Sequence, residues 1–182
     1  FETGRRENLA RLHAEVRATH EIPLGDTIFK LNTRADRIEE LDDGRYAILD
    51  YKTGRAPSSK QVKSGLSPQL TLEGAILRNG GFNGIPEGAS IAQYLYVELR
   101  GGEPAGEQKV IDMDKTTPDL EAENALQRLT GLLMKFADPV NGYASRERPM
   151  FMGRGGGDYD HLARVSEWSL SGGLAEDESE VE

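Results

Sequence analysis

Asp36, Asp50 and Lys52 are the residues of this chain whose types and spacing could do chemistry. They lie in the stretch Ala35 to Gly54, ADRIEELDDGRYAILDYKTG, where two apolar-rich runs flank Asp42-Asp43-Gly44. That punctuation predicts a β-hairpin with a short loop in which Gly44 takes a left-handed position. With those three residues as the loop, Asp36 falls opposite Asp50. Side chains alternate along a strand, so Asp50 and Lys52 share a face and Asp36 joins them from the neighbouring strand. Two carboxylates and an amine then converge. Like charges directly opposite each other destabilise a strand pair unless a cation sits between them or one carboxylate keeps its proton. A hard divalent metal ion is the simplest resolution.

This spacing resembles the PD-(D/E)xK nuclease superfamily, in which a first Asp and then an Asp-x-Lys in the same hairpin bind Mg²⁺ and activate water. More closely, the chain resembles nuclease domains of the RecB and AddB kind. There an Asp-Tyr-Lys-Thr-Gly string is followed by a helix beginning Gln-Leu, matched here by Asp50, Tyr51, Lys52, Thr53, Gly54 and then Gln69, Leu70. The run from Asp158 to Val165, ending in Glu167-Trp168-Ser169, is similar to the C-terminal end of AddB proteins. The resemblance implies an α/β protein, a restriction-endonuclease-like α/β/α sandwich with a central mixed sheet. It implies that Asp36, Asp50 and the Tyr51 backbone carbonyl hold Mg²⁺, with Mn²⁺ able to substitute. Lys52 would orient the nucleophile or stabilise developing charge, and Gln69 would position DNA or the attacking water. In the family an upstream helix adds a His or Glu to the metal site, and Glu2, before Arg5-Arg6, is the candidate for that position.

The activity so implied is metal-dependent exonucleolytic hydrolysis of DNA, on single strands leaving a helicase, during double-strand-break repair and recombination. An AddA-like helicase-nuclease subunit and the rest of the chain's own polypeptide would be the partners, in the bacterial cytoplasm at the nucleoid. Two alternatives stand beside it: a catalytically silent DNA-binding or subunit-bracing domain of such a complex, and a stand-alone Cas4-like exonuclease.

Composition narrows the setting. The length of 182 residues suits one domain with a real core. The expected division is a nuclease domain over 1–170 and an acidic, disordered tail over 171–182. The chain starts at Phe1 and is read as a piece of a larger protein. No apolar run approaches the roughly 20 residues of a membrane span. With no cysteine, neither a disulfide nor a thiolate-bound iron-sulfur cluster can form, although many relatives of this kind carry such a cluster. The formal charge of −9 argues against a bulk electrostatic hold on DNA, even though acidic residues after Gly173 supply much of it. Local cations, Arg34, Arg37, Lys52, Arg55, Lys60 and Lys63, would have to make the phosphate contacts.

The elements that must position the candidate residues follow from periodicity. Glu2 to about Leu12 has helical composition. Ala14 to Ile22 alternates as a half-buried strand, and Thr27 to Leu41 is a second, longer one. On that second strand Phe29, Leu31, Thr33 and Ala35 would occupy one face, and Ile28 through Asp36 and Ile38 the other. Ala47-Ile48-Leu49 is continuously apolar, so both faces of the third strand should be covered. Arg55 to Ser59 reads as loop. A helix from about Pro68 to Arg78, N-capped by Ser67, carries Gln69 and Glu73 one turn apart on one side. Further strands are expected over Ser90–Leu99 and Glu107–Met113. A last helix, from Thr117-Pro118 to about Ala137, carries a leucine stripe assigned to the core. His13 and His20 read as ordinary strand histidines. The glycines at 153–157 match neither the Walker nor the dinucleotide spacing, so no ATP site is expected in this chain. Asp158 to Trp168 reads as a short docking helix.

Overall fold

The computed structural model describes residues 8–102 and 106–142 of the chain. Glu2, the 158–168 run and the acidic tail lie outside the described residues. Phe1–Ala137 forms one compact unit, and Asp138–Glu182 forms another. In the second unit the described residues 138–142 make a turn, closed by the Asn141 N–H donating to the Asp138 carbonyl at 3.0 Å.

The first unit is a mixed five-stranded sheet with helices. The strands are β1 (Leu9–Leu24), β2 (Thr27–Leu41), β3 (Tyr46–Lys52), β4 (Ile91–Leu99) and β5 (Gly106–Val110). The helices are α1 (Ser59–Lys63), α2 (Gln69–Arg78) and α3 (Pro118–Ala137). Strand order in the sheet is β1-β2-β3-β4-β5. Each neighbouring pair is antiparallel except β3 and β4, which run parallel because α1 and α2 carry the chain back between them. This is the restriction-endonuclease-like α/β arrangement.

The β2–β3 hairpin has the anticipated register. Arg37 pairs with Leu49, Ile38 with Ile48, Glu39 with Ala47 and Glu40 with Tyr46. The Leu41 N–H donates to the Arg45 carbonyl at 2.8 Å, leaving Asp42, Asp43 and Gly44 as the loop, and Gly44 has φ +78°. A three-residue loop closing through a left-handed glycine matches strand twist without steric penalty.

Several elements differ from expectation. Leu9 to Leu12 is strand, not helix: β1 starts there and pairs along almost all of β2. Helix-forming composition is a weak preference that a long cross-strand ladder overrides. Strict alternation on β2 fails as well, since Ala35 and Ile38 pack into the same core. Opposite this stretch, between the Ala14–Arg37 and Val16–Ala35 pairs, Glu15 of β1 is a non-glycine residue with φ +57°. Ser58 and Gln61 form a capping box that starts α1 inside the expected loop. Helix α2 is capped at Pro68 with no side-chain bond, so Ser67 is not its cap. β5 ends at Val110 rather than Met113.

Core placement explains how the site is held. Ile38, Ile48, Tyr94 and Tyr96 of the sheet pack with Leu70, Ile76 and Leu77 of α2 and Ala122 of α3 in one cluster. Among the described residues both long helices therefore lie on the same face. Ala47, Leu49, Leu95 and Val97 are buried on the other, as the apolar run of β3 requires. The leucine stripe of α3 is core only in part: Leu126 packs against the cluster, Leu120 and Leu132 are 45% and 47% exposed, and the fully buried residues are Glu121, Ala122 and Ala125. Small side chains let α3 lie closely along α2 near β4, and the leucines beyond that contact are left half covered.

Gly74 is the tightest point of this packing. A Cβ there would overlap the Tyr94 hydroxyl and lie 2.9 Å from Ile91 Cδ1. Tyr94 cannot yield easily, because its buried hydroxyl donates to the Pro118 carbonyl at 3.1 Å and so joins α2, β4 and α3. Gly74→Ala gains about 1 kcal/mol in helix propensity, against overpacking of about 1–3 kcal/mol. With both neighbours fixed, overpacking outweighs the gain in propensity. The expected result is a lower urea midpoint with unchanged slope, and an unchanged midpoint would show that the helix can shift.

Candidate functional site

The site is built where the β2–β3 ladder ends. Beyond the Arg37–Leu49 pair the register sets Asp36 against Asp50, and the Asp36 side chain takes over from the ladder, its Oδ2 accepting from the Tyr51 N–H at 3.0 Å. Asp50 and Lys52 share the core-facing side of β3. Their side chains meet, Lys52 Nζ standing 2.6 Å from Asp50 Oδ2. This is an ion pair whose angles fall outside hydrogen-bond geometry. Tyr51 points to the opposite face, where its hydroxyl accepts from Arg37 Nη1 at 3.1 Å.

Helix α2 delivers the remaining contacts. Gln69 Nε2 donates to Asp50 Oδ1 at 2.6 Å, while Gln69 Oε1 accepts from Lys52 Nζ at 3.2 Å. The amide orientation is thus fixed by charge: a flip would turn the carbonyl toward a carboxylate and the NH₂ toward an ammonium. Lys52 Nζ also sits 5.6 Å from the centroid of the Tyr96 ring, which favours a cation. The structure therefore gathers Asp36, Asp50, Lys52 and Gln69 at one end of the parallel β3–β4 pair. The Tyr51 backbone lies between Asp50 and Lys52 on β3, and Glu2, the remaining candidate, lies outside the described residues.

Glu73 completes the group and was not among the sequence candidates. It is 1% exposed, and its Oε1 accepts from Thr33 Oγ1 at 3.1 Å and from Gln69 Nε2 at 3.4 Å. Its Oε2 is buried without a donor. Burial, helped by the nearby charges of Asp50 and Asp36, raises the Glu73 pKa to about 7 against the lowering effect of Gln69 and Thr33. Burial also raises Asp50, with Asp36 adding to the shift, while Lys52 and Gln69 pull the other way. The available signal was its position four residues after Gln69, one helical turn along the same side.

The cations sort differently from expectation. Arg37 is buried against Glu39, Nε to Oε1 at 2.8 Å, and cannot reach a ligand. Arg34 pairs with Glu15, and Lys63 with Asp114. Arg55 and Lys60 are exposed and have no ion pair among the described residues.

This donor set fits a hard divalent cation. Among the described residues no three His, Asp or Glu side chains form a closed metal cage. Mg²⁺ does not need one, since it takes one or two carboxylates and completes its shell with water and substrate phosphate. Carboxylates outnumber cations here: Asp36, Asp50 and Glu73 lie close to one another beside the single ammonium of Lys52, and Glu73 Oε2 is buried without a donor. A cation relieves such an excess. Among the described residues no helix is long and apolar enough to cross a membrane.

Comparison with known proteins supplies relatives. The family model of the PD-(D/E)XK nuclease superfamily matches residues 2–148. A Rickettsia bellii (strain RML369-C) protein described as uncharacterized is 36% identical over 83 residues, which is 46% of this chain and 10% of that protein. A Rickettsia felis (strain ATCC VR-1525 / URRWXCal2) protein with the same description is 37% identical over 83 residues, with the same coverage. The matched stretch thus spans about a tenth of the curated relatives' length. Among solved structures, the crystal structure of SSO0001 superposes with a TM-score of 0.38 at 20% identity, over 70% of this chain and 55% of that one.

Proposed function

Because the chain belongs to the PD-(D/E)XK nuclease superfamily, we propose that it is a Mg²⁺-dependent deoxyribonuclease domain in which Asp36, Asp50, Lys52 and Gln69 act together on the phosphodiester bond. The observation that carries this reading is the Gln69 amide, which spans Asp50 at 2.6 Å and Lys52 at 3.2 Å and so ties helix to hairpin at the reacting end of the sheet. Asp36, Asp50 and the Tyr51 carbonyl would hold the metal, with Glu2 as a further ligand. When bound, Mg²⁺ or Mn²⁺ supplies a water of lowered pKa and offsets negative charge on the phosphate.

The protein's own groups do the positioning. Lys52 presents an ammonium next to the attacking oxygen and stabilises charge as it develops on phosphorus. Gln69 keeps that ammonium and the Asp50 carboxylate in fixed relation, and it is itself exposed to solvent. Asp36 locks the Tyr51 amide and with it the turn of β3 toward Lys52.

The finer assignment is a RecB/AddB-like helicase-nuclease subunit that trims single DNA strands exonucleolytically in double-strand-break repair and recombination, beside an AddA-like partner at the bacterial nucleoid. It rests on the Asp50-to-Gly54 string followed by Gln69-Leu70. The length of the curated relatives, of which the match is about a tenth, suits a domain within such a polypeptide.

The test is hydrolysis of labelled single-stranded DNA by the 182-residue chain. Cleavage should vanish in EDTA and return with Mg²⁺ or Mn²⁺. Cleavage that persists after the metal is stripped would remove the metal from the reading. DNA binding with no cleavage under any metal would favour a silent, bracing domain.

A further inference from the structure

We propose that the groove opening just past Lys52 is a track for the phosphodiester backbone of a single nucleic-acid strand, with Arg55 and Lys109 as its phosphate contacts. The proposal rests on the nuclease reading and extends it, stating where the strand runs once it leaves the reacting centre.

Topology places the groove. β3 and β4 are the parallel pair of the sheet, and Asp50 stands beside Tyr96, Lys52 beside Glu98. Alternation keeps Tyr96 and Glu98 on the same face as Asp50 and Lys52, so the row after the centre is the row of Glu98. In open α/β sheets ligands bind beyond the carboxyl ends of parallel strands. Here that position holds a cavity of about 520 Å³ lined by Thr53, Gly54, Arg55, Glu98, Arg100 and Lys109, among others. A second hollow of about 390 Å³ shares Arg55 and Lys109 and continues past Ser58 to Gln61. The two hollows adjoin at Arg55 and Lys109, and the first is lined from Thr53, the residue following Lys52.

Charge decides the occupant. The acids in the groove are already matched: Glu98 accepts from the Ala56 N–H at 2.8 Å and pairs with Arg100 at 2.8 Å, and the same guanidinium reaches Glu107 at 2.9 Å. Arg100 and the Ala56 amide accordingly hold the Glu98 carboxyl below its ordinary value. Arg55 and Lys109 form no close ion pair among the described residues: Lys109 donates to the Ala56 carbonyl at 3.4 Å and its charge only adds to the field that lowers Glu98, whose carboxyl is held by Arg100 and the Ala56 amide. Several other cations are paired, Arg34 with Glu15, Arg37 with Glu39, Lys63 with Asp114 and Arg78 with Asp119, while Lys60 on α1 is not among the residues lining either hollow. In a chain of formal charge −9, two cations held in no close ion pair, in the groove that starts at the residue after Lys52, are what a phosphate chain can use.

Size selects a single strand. A cavity of about 520 Å³ is on the scale of a small-molecule pocket, enough for a short run of backbone. A duplex, whose major groove alone is about 12 Å wide, does not enter it. No aromatic ring lines either hollow, so bases are not stacked there and the contact is indifferent to sequence.

The experiment is fluorescence anisotropy of a labelled oligothymidylate with the 182-residue chain in EDTA, across a salt series, with Arg55→Gln, Lys109→Gln and the double variant. Each single-strand phosphate contact contributes about 0.7 to the slope of log K against log salt. The double variant should therefore lose about 1.4 of slope, and each single variant about half of that. Arg55→Lys should restore the slope at that position, and Lys135→Gln, on the far end of α3, should leave it unchanged. Slopes unaltered in the double variant, with cleavage by the parent intact, would overturn the groove and spare the nuclease reading. An equal loss on a duplex of the same length would overturn the single-strand occupant. A parent chain that neither binds nor cuts would overturn both.

Discussion

Asp50→Asn should reduce DNA cleavage on the order of 10³-fold or more, the scale of removing a group that stabilises transition-state charge, while the protein stays folded. Asp50 is 3% exposed and engages two partners at once, Gln69 through Oδ1 and Lys52 through Oδ2. Asparagine keeps the shape and the oxygen that Gln69 needs. It replaces the anionic oxygen at Lys52 with a donor, so the ammonium loses its counter-charge and the cation site loses one of its two hairpin carboxylates. Calorimetric titration with Mn²⁺ should lose its heat together with activity, while circular dichroism at 25 °C should match the parent. A variant that still takes up Mn²⁺ and still cuts would mean that the hairpin carboxylates are not the metal-binding pair. Lys52→Ala makes the complementary case, because metal uptake should survive there while cleavage falls.

How much of this is legible in the sequence depends on which physical period carries the signal. The hairpin register is readable because side-chain alternation and a three-residue loop leave one solution, and a slip of one residue would turn every side chain over. Asp50 and Lys52 can therefore be placed on one face, and Tyr51 on the other, from the sequence alone. α3 is legible in extent but not in orientation. Its apolar period of 3.6 marks a stripe but does not say how much of the stripe meets a neighbour, and close packing through Ala122 and Ala125 leaves Leu120 and Leu132 outside. The start of β1 is hidden because helix-forming residues there pair with β2. The capping box of Ser58 and Gln61 is visible as a Ser-x-x-Gln pattern but too short a run to announce α1. Arg37 and Glu39 look like surface charges two residues apart on a strand. Only the burial of both, with Nη2 to Oε1 at 2.7 Å, shows that they belong to the interior.

Glu73 is the residue on which sequence and structure differ most, and it carries the second large effect. A glutamate within a helix reads as solvent-exposed, since acids are rarely buried without a partner. In the fold it is buried, and burial, with a smaller push from Asp50 and Asp36, lifts its pKa from 4.5 to about 7 against the hydrogen bonds from Gln69 and Thr33. The consequence for stability has a definite sign. The folded state binds a proton that the unfolded state has already released between pH 4.5 and about 7, so unfolding stability falls as pH rises through that window. Its contribution is fully present below pH 4.5 and gone above about 7. At 1.36 kcal/mol per pKa unit the loss is of order 3 kcal/mol, and Asp50, whose pKa is also raised, adds to it with the same sign.

Glu73→Gln removes the titrating group while its carbonyl still accepts from Thr33. In metal-free buffer the parent's urea midpoint should therefore drop between pH 5 and pH 8, whereas the variant's should stay nearly level and exceed the parent's at pH 8. Added Mg²⁺ should recover part of the parent's loss at pH 8, because a cation near Asp36 and Asp50 offsets the same carboxylate repulsion, and it should do less for the variant. Parallel pH curves for the two proteins would show that Glu73 titrates as an ordinary glutamate, and the buried pairing with Gln69 would then play no part in setting the charge of the site.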